Sequence, residues 1–546
     1  MAPSSKKARA SSPPISCPAP TNSLVSACLT DMYQLSMAYA YFRSGRHDDT
    51  SSFELFFRTP PFDGEFTLFA GLDEVLSHVA HFSFSDSDIA YLKSIMPDAS
   101  DAFWDYLGSL DCSEVRILAQ TQGSVVFPRV PLMRIEGPLG VCQLLETTLL
   151  TLVNYPSLVC TNAKRMRLAA GPKAVLLEFG LRRAQGPDGG FSASKYCMIG
   201  GFDGTSNVTA GMKLPGVDVK GTHAHAFVQT FSSLDEILEP TEGPLATLKA
   251  KVLEYRAKLD MLKTNGGELA AFISYALAFP DGFLALIDTY ESLSSGCLNF
   301  ILVALALDDL GYTPRGIRLD SGDLAYISHE CRALFTRYAT SLSRGFFANL
   351  AIVASNDINE SVLHSLAKAQ HSITSFGIGT NLVTCQKQPA LGCVYKLVEI
   401  NGQPRIKLSQ DINKVLIPGR KQAYRIYSKG GEPLMDLMLR SGEEPPKAGE
   451  RFLCRHPFAE TKRVYVTPSL VEPLLNVVWD GPNGGLTKEL PTIADGKALA
   501  KKQIASLRED HKRHHMPTPY KVSVSSALFD HLHELWEKEA PVLELS

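Results

Sequence analysis

GIRLDSGDL, residues 316–324, starts as a short apolar run and breaks into a polar turn carrying Asp320, Gly322 and Asp323. A helical stretch follows. The same pattern recurs along residues 174–380 in VLLEFG (175–180), MIGGFDG (198–204), VDVKGTHAH (217–225), FLALIDTY (283–290), AIVASND (351–357) and ITSFGIGT (373–380). Between FLALIDTY and GIRLDSGD, a helical segment carries apolar Phe300, Leu302, Val303 and Leu307. Apolar strands alternating with helices indicate parallel β/α architecture, because parallel strands need crossovers and are covered on both faces. Seven such units in roughly two hundred residues predict a closed barrel rather than an open sheet. The polar residues after each run then fall at the carboxyl ends of the strands, the active-site face of such a barrel.

The flanks have another texture. Residues 23–160 mix an amphipathic segment, SACLTDMYQLSMAYAYF, with strand-like FELFF, VRIL and PLMRIEG and a helical GVCQLLETTLLTLV. After 385 come VYKLVEI and AYRIYS, Gly-Pro turns around 440–485, and a closing helix at 524–538. The expected organisation is a tail at 1–22, a catalytic barrel at 161–385, and a second α/β domain built from 23–160 and 386–546. The tail is rich in Ser, Pro and Ala, lacks an apolar core of the signal-peptide kind, and reads as disordered.

Composition excludes several classes. The 546 residues are 45% hydrophobic and 20% charged, with a formal net charge of -3, so there is no basic footprint for nucleic acid. No run of eighteen apolar residues occurs, so no membrane span is expected. Eleven cysteines, an odd number without a C-x-x-C pair, predict reduced thiols in a cytoplasmic protein.

The predicted rim carries the chemistry. Gly377, Gly379 and Thr380 offer backbone N–H groups and a hydroxyl suited to cradling phosphate, although Gly-x-Gly is also an ordinary turn. Ser355, Asn356 and Asp357 end the preceding unit and read either as its extension or as a helix cap. Arg318 suits a carboxylate or phosphate, and Asp320 with Asp323 suits Mg²⁺ carrying a diphosphate. The alternative is an internal salt bridge plus a cap at Asp323. Asp288 adds a carboxylate or caps its own turn. In LEFGLRRAQGPDGG (177–190), Phe179 is a stacking face or core, followed by Arg182 and Arg183. Thr205 and Ser206 in FDGTSN are turn residues unless something binds there. His223 and His225 share a face if the strand continues. A metallohydrolase barrel would need further histidines at later strand ends, but His329 and His364 sit in helical stretches. One reactive imidazole beside Arg318 and paired aspartates fits group transfer better.

Assembled, these stretches resemble the nicotinate phosphoribosyltransferase family from about residue 27 onward. LTDMYQLSMA, FELFFR, LRRAQGPDGG, GGFDGTSNVTAG, GTHAHAF, AFPDGFLALIDTY, GIRLDSGDL, FGIGT, CVYKL, PRIKLS, PGRKQAYR and HKRHHMPTPYKVS carry the likeness. The resemblance implies an irregular TIM-like β/α barrel, type II phosphoribosyltransferase-like, with a second domain from both chain ends. It implies an ATP-dependent enzyme of NAD biosynthesis that joins nicotinate to phosphoribosyl diphosphate, giving nicotinate mononucleotide and diphosphate. It further implies Mg²⁺ (or Mn²⁺), ATP as co-substrate, a phosphorylated histidine, and a homodimer with shared active sites.

Carried over by position, His225 is the phosphorylated nucleophile, and Asp320 is a carboxylate near ribose and metal, joined with lower priority by Asp323. Thr222, Arg318, Phe179, Ser206 and the partner subunit's Tyr33 correspond to the nicotinate pocket. Thr380, Gly379, Gly377, Arg182 and Ser355 correspond to the phosphoribosyl diphosphate site. Ser206 stands where the related nicotinamide enzyme has an aspartate, and a neutral hydroxyl does not repel a carboxylate, which favours the acid over the amide. Ala226 stands where the family often has serine. The rival readings are a nicotinamide or quinolinate phosphoribosyltransferase, a metal-dependent barrel hydrolase, and an inactive nucleotide sensor.

Overall fold

The computed structural model describes residues 15–540. Residues 1–14, most of the stretch read as a tail, lie outside the described residues. Thr21, near its end, donates its N–H and its hydroxyl to the Glu74 carboxylate at 3.0 and 2.9 Å. The described chain divides into two compact units, Asn162–Lys387 and the remainder. The division falls inside the helix Glu146–Ala170.

In the unit Asn162–Lys387, six strands form one parallel sheet: β1 (Val175–Glu178), β2 (Gly204–Thr205), β3 (Leu284–Leu286), β4 (Gly316–Leu319), β5 (Ala351–Ala354) and β6 (Ser375–Ile378). Their order is β2-β1-β6-β5-β4-β3, every ladder parallel. A parallel bridge, Thr205 to Val219, extends the β2 edge. The connecting helices include α1 (Gly186–Gly200), α2 (Val208–Lys213), α3 (Gly266–Ala278), α4 (Cys297–Asp309), α5 (Leu324–Ser341) and α6 (Glu360–Ala369).

Side-chain caps start four of these helices. Asn207, Asn265, Asp323 and Asn359 each accept a backbone N–H of the first turn of α2, α3, α5 and α6. α4 is buried on nearly every face, with Phe300 stacked on Phe283 at 5.4 Å. Gly316 opens β4 at φ +149°, and a Cβ there would lie 2.0 Å from the Ala351 carbonyl oxygen, so only glycine lets β4 and β5 pair this closely. The span Ser292–Asp309 is long and apolar enough to cross a membrane by composition, but 67% of it is buried inside the protein, as in a core helix.

Two runs differ from expectation. Met198–Gly200 of MIGGFDG complete α1, and Gly201 at φ +114° stops that helix, so only Gly204–Thr205 pair as a strand. Of VDVKGTHAH only Val219 bridges, and His225 already begins the short helix His225–Gln229. A short apolar run has the same periodicity in a buried helix end as in a buried strand.

The other unit draws on both chain ends. Its seven-stranded antiparallel sheet sets Thr50–Phe57 between Cys393–Ile400 and Met133–Pro138, with Gln403–Pro404, Arg116–Ala119, Asn476–Asp480 and Gly485–Leu486 outside them. A second, six-stranded sheet is formed by residues 421–524, in which Pro433–Arg440 and Lys521–Val524 run parallel. Within it Arg425 makes two hydrogen bonds to its cross-strand partner Asp436, at 2.8 and 2.9 Å, both side chains fully buried. Described cysteines number eleven, and all are free thiols.

Candidate active site

A cavity of about 880 Å³ opens at the carboxyl ends of the parallel strands, within the size range of small-molecule sites. β1 sends Phe179, Arg182 and Arg183 to its wall, and β2 sends Ser206. The bridge at Val219 leads to Thr222, His223 and His225; β4 contributes Arg318 and Asp320. β5 supplies Ser355 through Asn359, and β6 supplies Gly377, Gly379, Thr380 and Asn381. Nearly every residue expected at the strand ends therefore meets in one place. Asp323 and Tyr33 do not line it. Asp323 spends its carboxylate on the Tyr326 N–H at 3.0 Å as the cap of α5. Tyr33 lies on the helix Met32–Arg43 of the other unit, 49% exposed.

The two histidines point to different tasks. The Leu286 N–H donates to His223 Nε2 at 3.3 Å, which ties the segment after Val219 to β3, the opposite edge of the sheet. Tyr275 meets the His223 ring edge-on at 4.7 Å. Burial, aided by Arg318 and His225, pushes this imidazole down to about 4, so it stays a neutral acceptor. With Nε2 taken by a backbone N–H, His223 cannot share a metal ion with His225 through that nitrogen, which counts against the hydrolase reading. His225 instead shares a 3.0 Å hydrogen bond between Nδ1 and the Thr289 hydroxyl. Its Nε2 faces Asp288 Oδ1 at 4.0 Å and Asp320 Oδ2 at 3.9 Å. Both gaps exceed a hydrogen bond, so the carboxylates surround Nε2 without being bonded to it.

Asp288 was legible only as an open alternative, and Thr289 was missed. The side chain of Asp288 is 2% exposed; its Oδ2 accepts the Asp320 N–H at 2.9 Å and the Ser321 hydroxyl at 2.6 Å, while its Oδ1 is buried without a partner. The carboxylates beside the imidazole are thus Asp288 and Asp320, in place of the expected Asp320 and Asp323.

Arg318 is more committed than a free fork. Its Nη1 donates to Thr222 Oγ1 and to the His223 carbonyl, both at 3.1 Å, and its Nε donates to Ser355 Oγ at 3.1 Å. Ser355 in turn donates to Asp320 Oδ1 at 2.8 Å. Only Nη2, 3.7 Å from Asp320 Oδ2, keeps donors in reserve for an incoming anion. Across the cavity, a Cβ on Gly377 would lie 2.3 Å from the Phe179 ring, so glycine lets that ring lie over the β6 backbone. Asn162 holds the turn beyond it through the carbonyls of Asn381 and Leu382, at 2.9 and 3.2 Å.

Behind Asp288, fully buried Glu268 accepts the Ser295 hydroxyl at 2.7 Å and the Asn299 amide at 2.9 Å, and its Oε1 has no partner. Burial, with a smaller push from Asp288, raises this carboxyl to about 7. An unfolded glutamate ionises near 4.5, so between pH 4.5 and 7 unfolding releases a proton and stability falls as pH rises. Above pH 7 the full cost applies, on the order of 3 kcal/mol. Glu268→Gln is therefore expected to melt close to the parent at pH 5 and above it at pH 8. Melting curves at the two pH values check this; a pH-independent difference would refute it.

Comparison with known proteins shows the family. Residues 28–154 match the nicotinate phosphoribosyltransferase (NAPRTase) N-terminal domain, 306–431 the NAPRTase family, and 420–532 the C-terminal domain. The chain is 52% identical over 540 residues to nicotinate phosphoribosyltransferase 2 of Arabidopsis thaliana, covering 96% of this chain and 97% of that one. It is 45% identical over 526 residues to nicotinate phosphoribosyltransferase of Homo sapiens, covering 94% and 97%. The crystal structure of human nicotinic acid phosphoribosyltransferase superposes with a TM-score of 0.83 at 43% identity, covering 93% of this chain and 99% of that one.

Proposed function

Because this chain belongs to the nicotinate phosphoribosyltransferase family, we propose that the cavity at the ends of the six parallel strands joins nicotinate to phosphoribosyl diphosphate. The product is nicotinate mononucleotide, on the route to NAD, with diphosphate released. The observation that carries this reading is the meeting of His225, Arg318, Ser206, Phe179 and Thr380 around one cavity. Nicotinate lies along Phe179, its carboxylate toward Arg318 Nη2 and Thr222, with the neutral Ser206 nearby. The phosphoribosyl group takes the Gly377–Thr380 turn, with Arg182 balancing its charge. The pyridine nitrogen forms a bond to ribose C1 as the C1–oxygen bond to diphosphate breaks, and holding the two reactants in line supplies much of the rate.

Mg²⁺ suits the donor set: Asp288 Oδ1 is buried without a partner, and Asp320 Oδ2 stands on the same side of His225. Once bound there, it would neutralise charge on the diphosphate. ATP coupling runs through His225: with Nδ1–H given to Thr289, the Nε2 lone pair attacks the γ-phosphorus and ADP leaves. We read the sheet as an irregular TIM-like barrel, since the hydrogen bond from Leu286 to His223 brings its two edges together. A second α/β domain, a homodimer in which the partner's Tyr33 stacks on the pyridine ring, and a cytoplasmic location complete the reading.

The test is product formation from labelled nicotinate, phosphoribosyl diphosphate and Mg²⁺, with and without ATP. Labelled nicotinate mononucleotide is expected, at a rate increased by ATP, with nicotinamide a poor substitute. No product would end the proposal, and equal use of nicotinamide would remove the role given to Ser206.

A further inference from the structure

Glu178, the last residue of β1, is an acid inside an otherwise apolar strand, and it is fully buried. Its carboxylate has no ion pair among the described residues. Four donors from three segments satisfy it or its backbone instead. Oε1 accepts the Gly180 N–H, and Oε2 accepts the hydroxyls of Ser194, at 2.9 Å, and Thr205, at 2.5 Å. The Glu178 carbonyl accepts the Ser206 N–H at 2.9 Å. The network closes on itself. Asn207 gives its N–H to Thr205 Oγ1 at 3.0 Å and its amide to Ser194 Oγ at 3.1 Å, and its own oxygen caps α2. Glu178, Ser194 and Thr205 are each 0% exposed, and Asn207 is 3% exposed.

The two turns held this way are the ones that present Phe179 and Ser206 to the cavity. Phe179 follows Glu178 directly, and Ser206 follows Thr205 directly. The parallel β1–β2 ladder and the Ser206 N–H to Glu178 carbonyl bond align the two backbones. The carboxylate adds the side-chain acceptor common to the hydroxyls on α1 and β2, which is lost without it. Buried polar groups of this kind are rigid when fully satisfied and costly when one partner is lost.

The geometry points to Glu178 as a positioning residue that sets the distance between Phe179 and Ser206, and with it the selectivity for nicotinate over nicotinamide. Glu178 touches no substrate; it acts through Thr205, Ser194 and Gly180. This inference rests on the reaction proposed above, so the parent enzyme's use of nicotinate is measured first. A parent without activity fails that proposal and not this one.

Glu178→Gln and Thr205→Val both break the link, the second without altering charge. Each is expected to raise KM for nicotinate by about tenfold or more and to lower the nicotinate-to-nicotinamide ratio of kcat/KM, since misplacement near 1 Å costs up to about a hundredfold. KM for phosphoribosyl diphosphate should rise less than KM for nicotinate, because Asn162 also holds the turn that ends its cradle. Thr205→Ser keeps the hydroxyl and should keep the parent's ratio. General loss of folded protein would lower kcat for both bases equally and leave the ratio alone. The inference is overturned if Thr205→Val and Thr205→Ser share the parent's nicotinate KM and selectivity, whether or not Glu178→Gln folds.

Discussion

Arg318→Lys is expected to lower kcat/KM for nicotinate by about a hundredfold or more, because one ammonium cannot make all three charge-assisted contacts at once and also meet an incoming anion. Lysine keeps the charge but offers one ammonium in place of a planar fork. It can reach either Thr222 and the His223 carbonyl or Ser355, which the guanidinium holds simultaneously at 3.1 Å. The Nη2 donors proposed to receive the nicotinate carboxylate disappear as well. Arg318→Ala goes further, leaving Asp320 without its 3.7 Å cationic neighbour and three polar groups without a donor. The discriminating measurement is substrate preference. An amide needs no cation, so nicotinamide use should fall less than nicotinate use, and the ratio should shift toward the amide. If both substrates lose equally while melting temperature is unchanged, Arg318 holds the site's shape and does not receive the carboxylate.

The same residue shows how far sequence reading reaches. An arginine at the end of an apolar strand is visible as a candidate anion ligand, because strand ends face one rim in parallel β/α folds. That its Nη1 and Nε are already engaged is invisible, since the partners lie 96, 95 and 37 residues away. Asp323 shows the converse. Spaced three residues from Asp320 in one turn, it looks like half of a metal pair, yet it stands directly before α5, where capping competes for the same carboxylate. The carboxylate that faces His225 together with Asp320 comes from FLALIDTY, and its neighbour Thr289 reads as ordinary turn chemistry. The alternation of strand and helix is legible because burial on both faces enforces it. Met198–Gly200 misleads for the same physical reason, as a helix end can be equally buried. Glu178 was legible and unused: an acid in VLLEFG is costly unless several donors wait for it.

His225→Ala should remove phosphate labelling of the protein by γ-labelled ATP and, with it, the stimulation of nicotinate mononucleotide formation by ATP. The argument starts from tautomer control. A hydrogen bond between Nδ1 and the Thr289 hydroxyl lets the ring keep its proton on Nδ1, which leaves the Nε2 lone pair toward the cavity. Asp288 and Asp320 stand at 4.0 and 3.9 Å from that nitrogen, too far to hydrogen-bond it directly and close enough to act on any group attached to it. Phosphate placed there adds negative charge beside the carboxylates that would hold Mg²⁺, so phosphorylation changes how the site binds a charged diphosphate. Loss of the imidazole severs that link without touching Arg318 or the Gly377–Thr380 turn. A slow, ATP-independent transfer should therefore survive in His225→Ala. His223→Gln retains an acceptor for the Leu286 N–H and should still be labelled. Label persisting on His225→Ala, or vanishing with His223→Gln while His225→Ala keeps it, would move the nucleophile elsewhere.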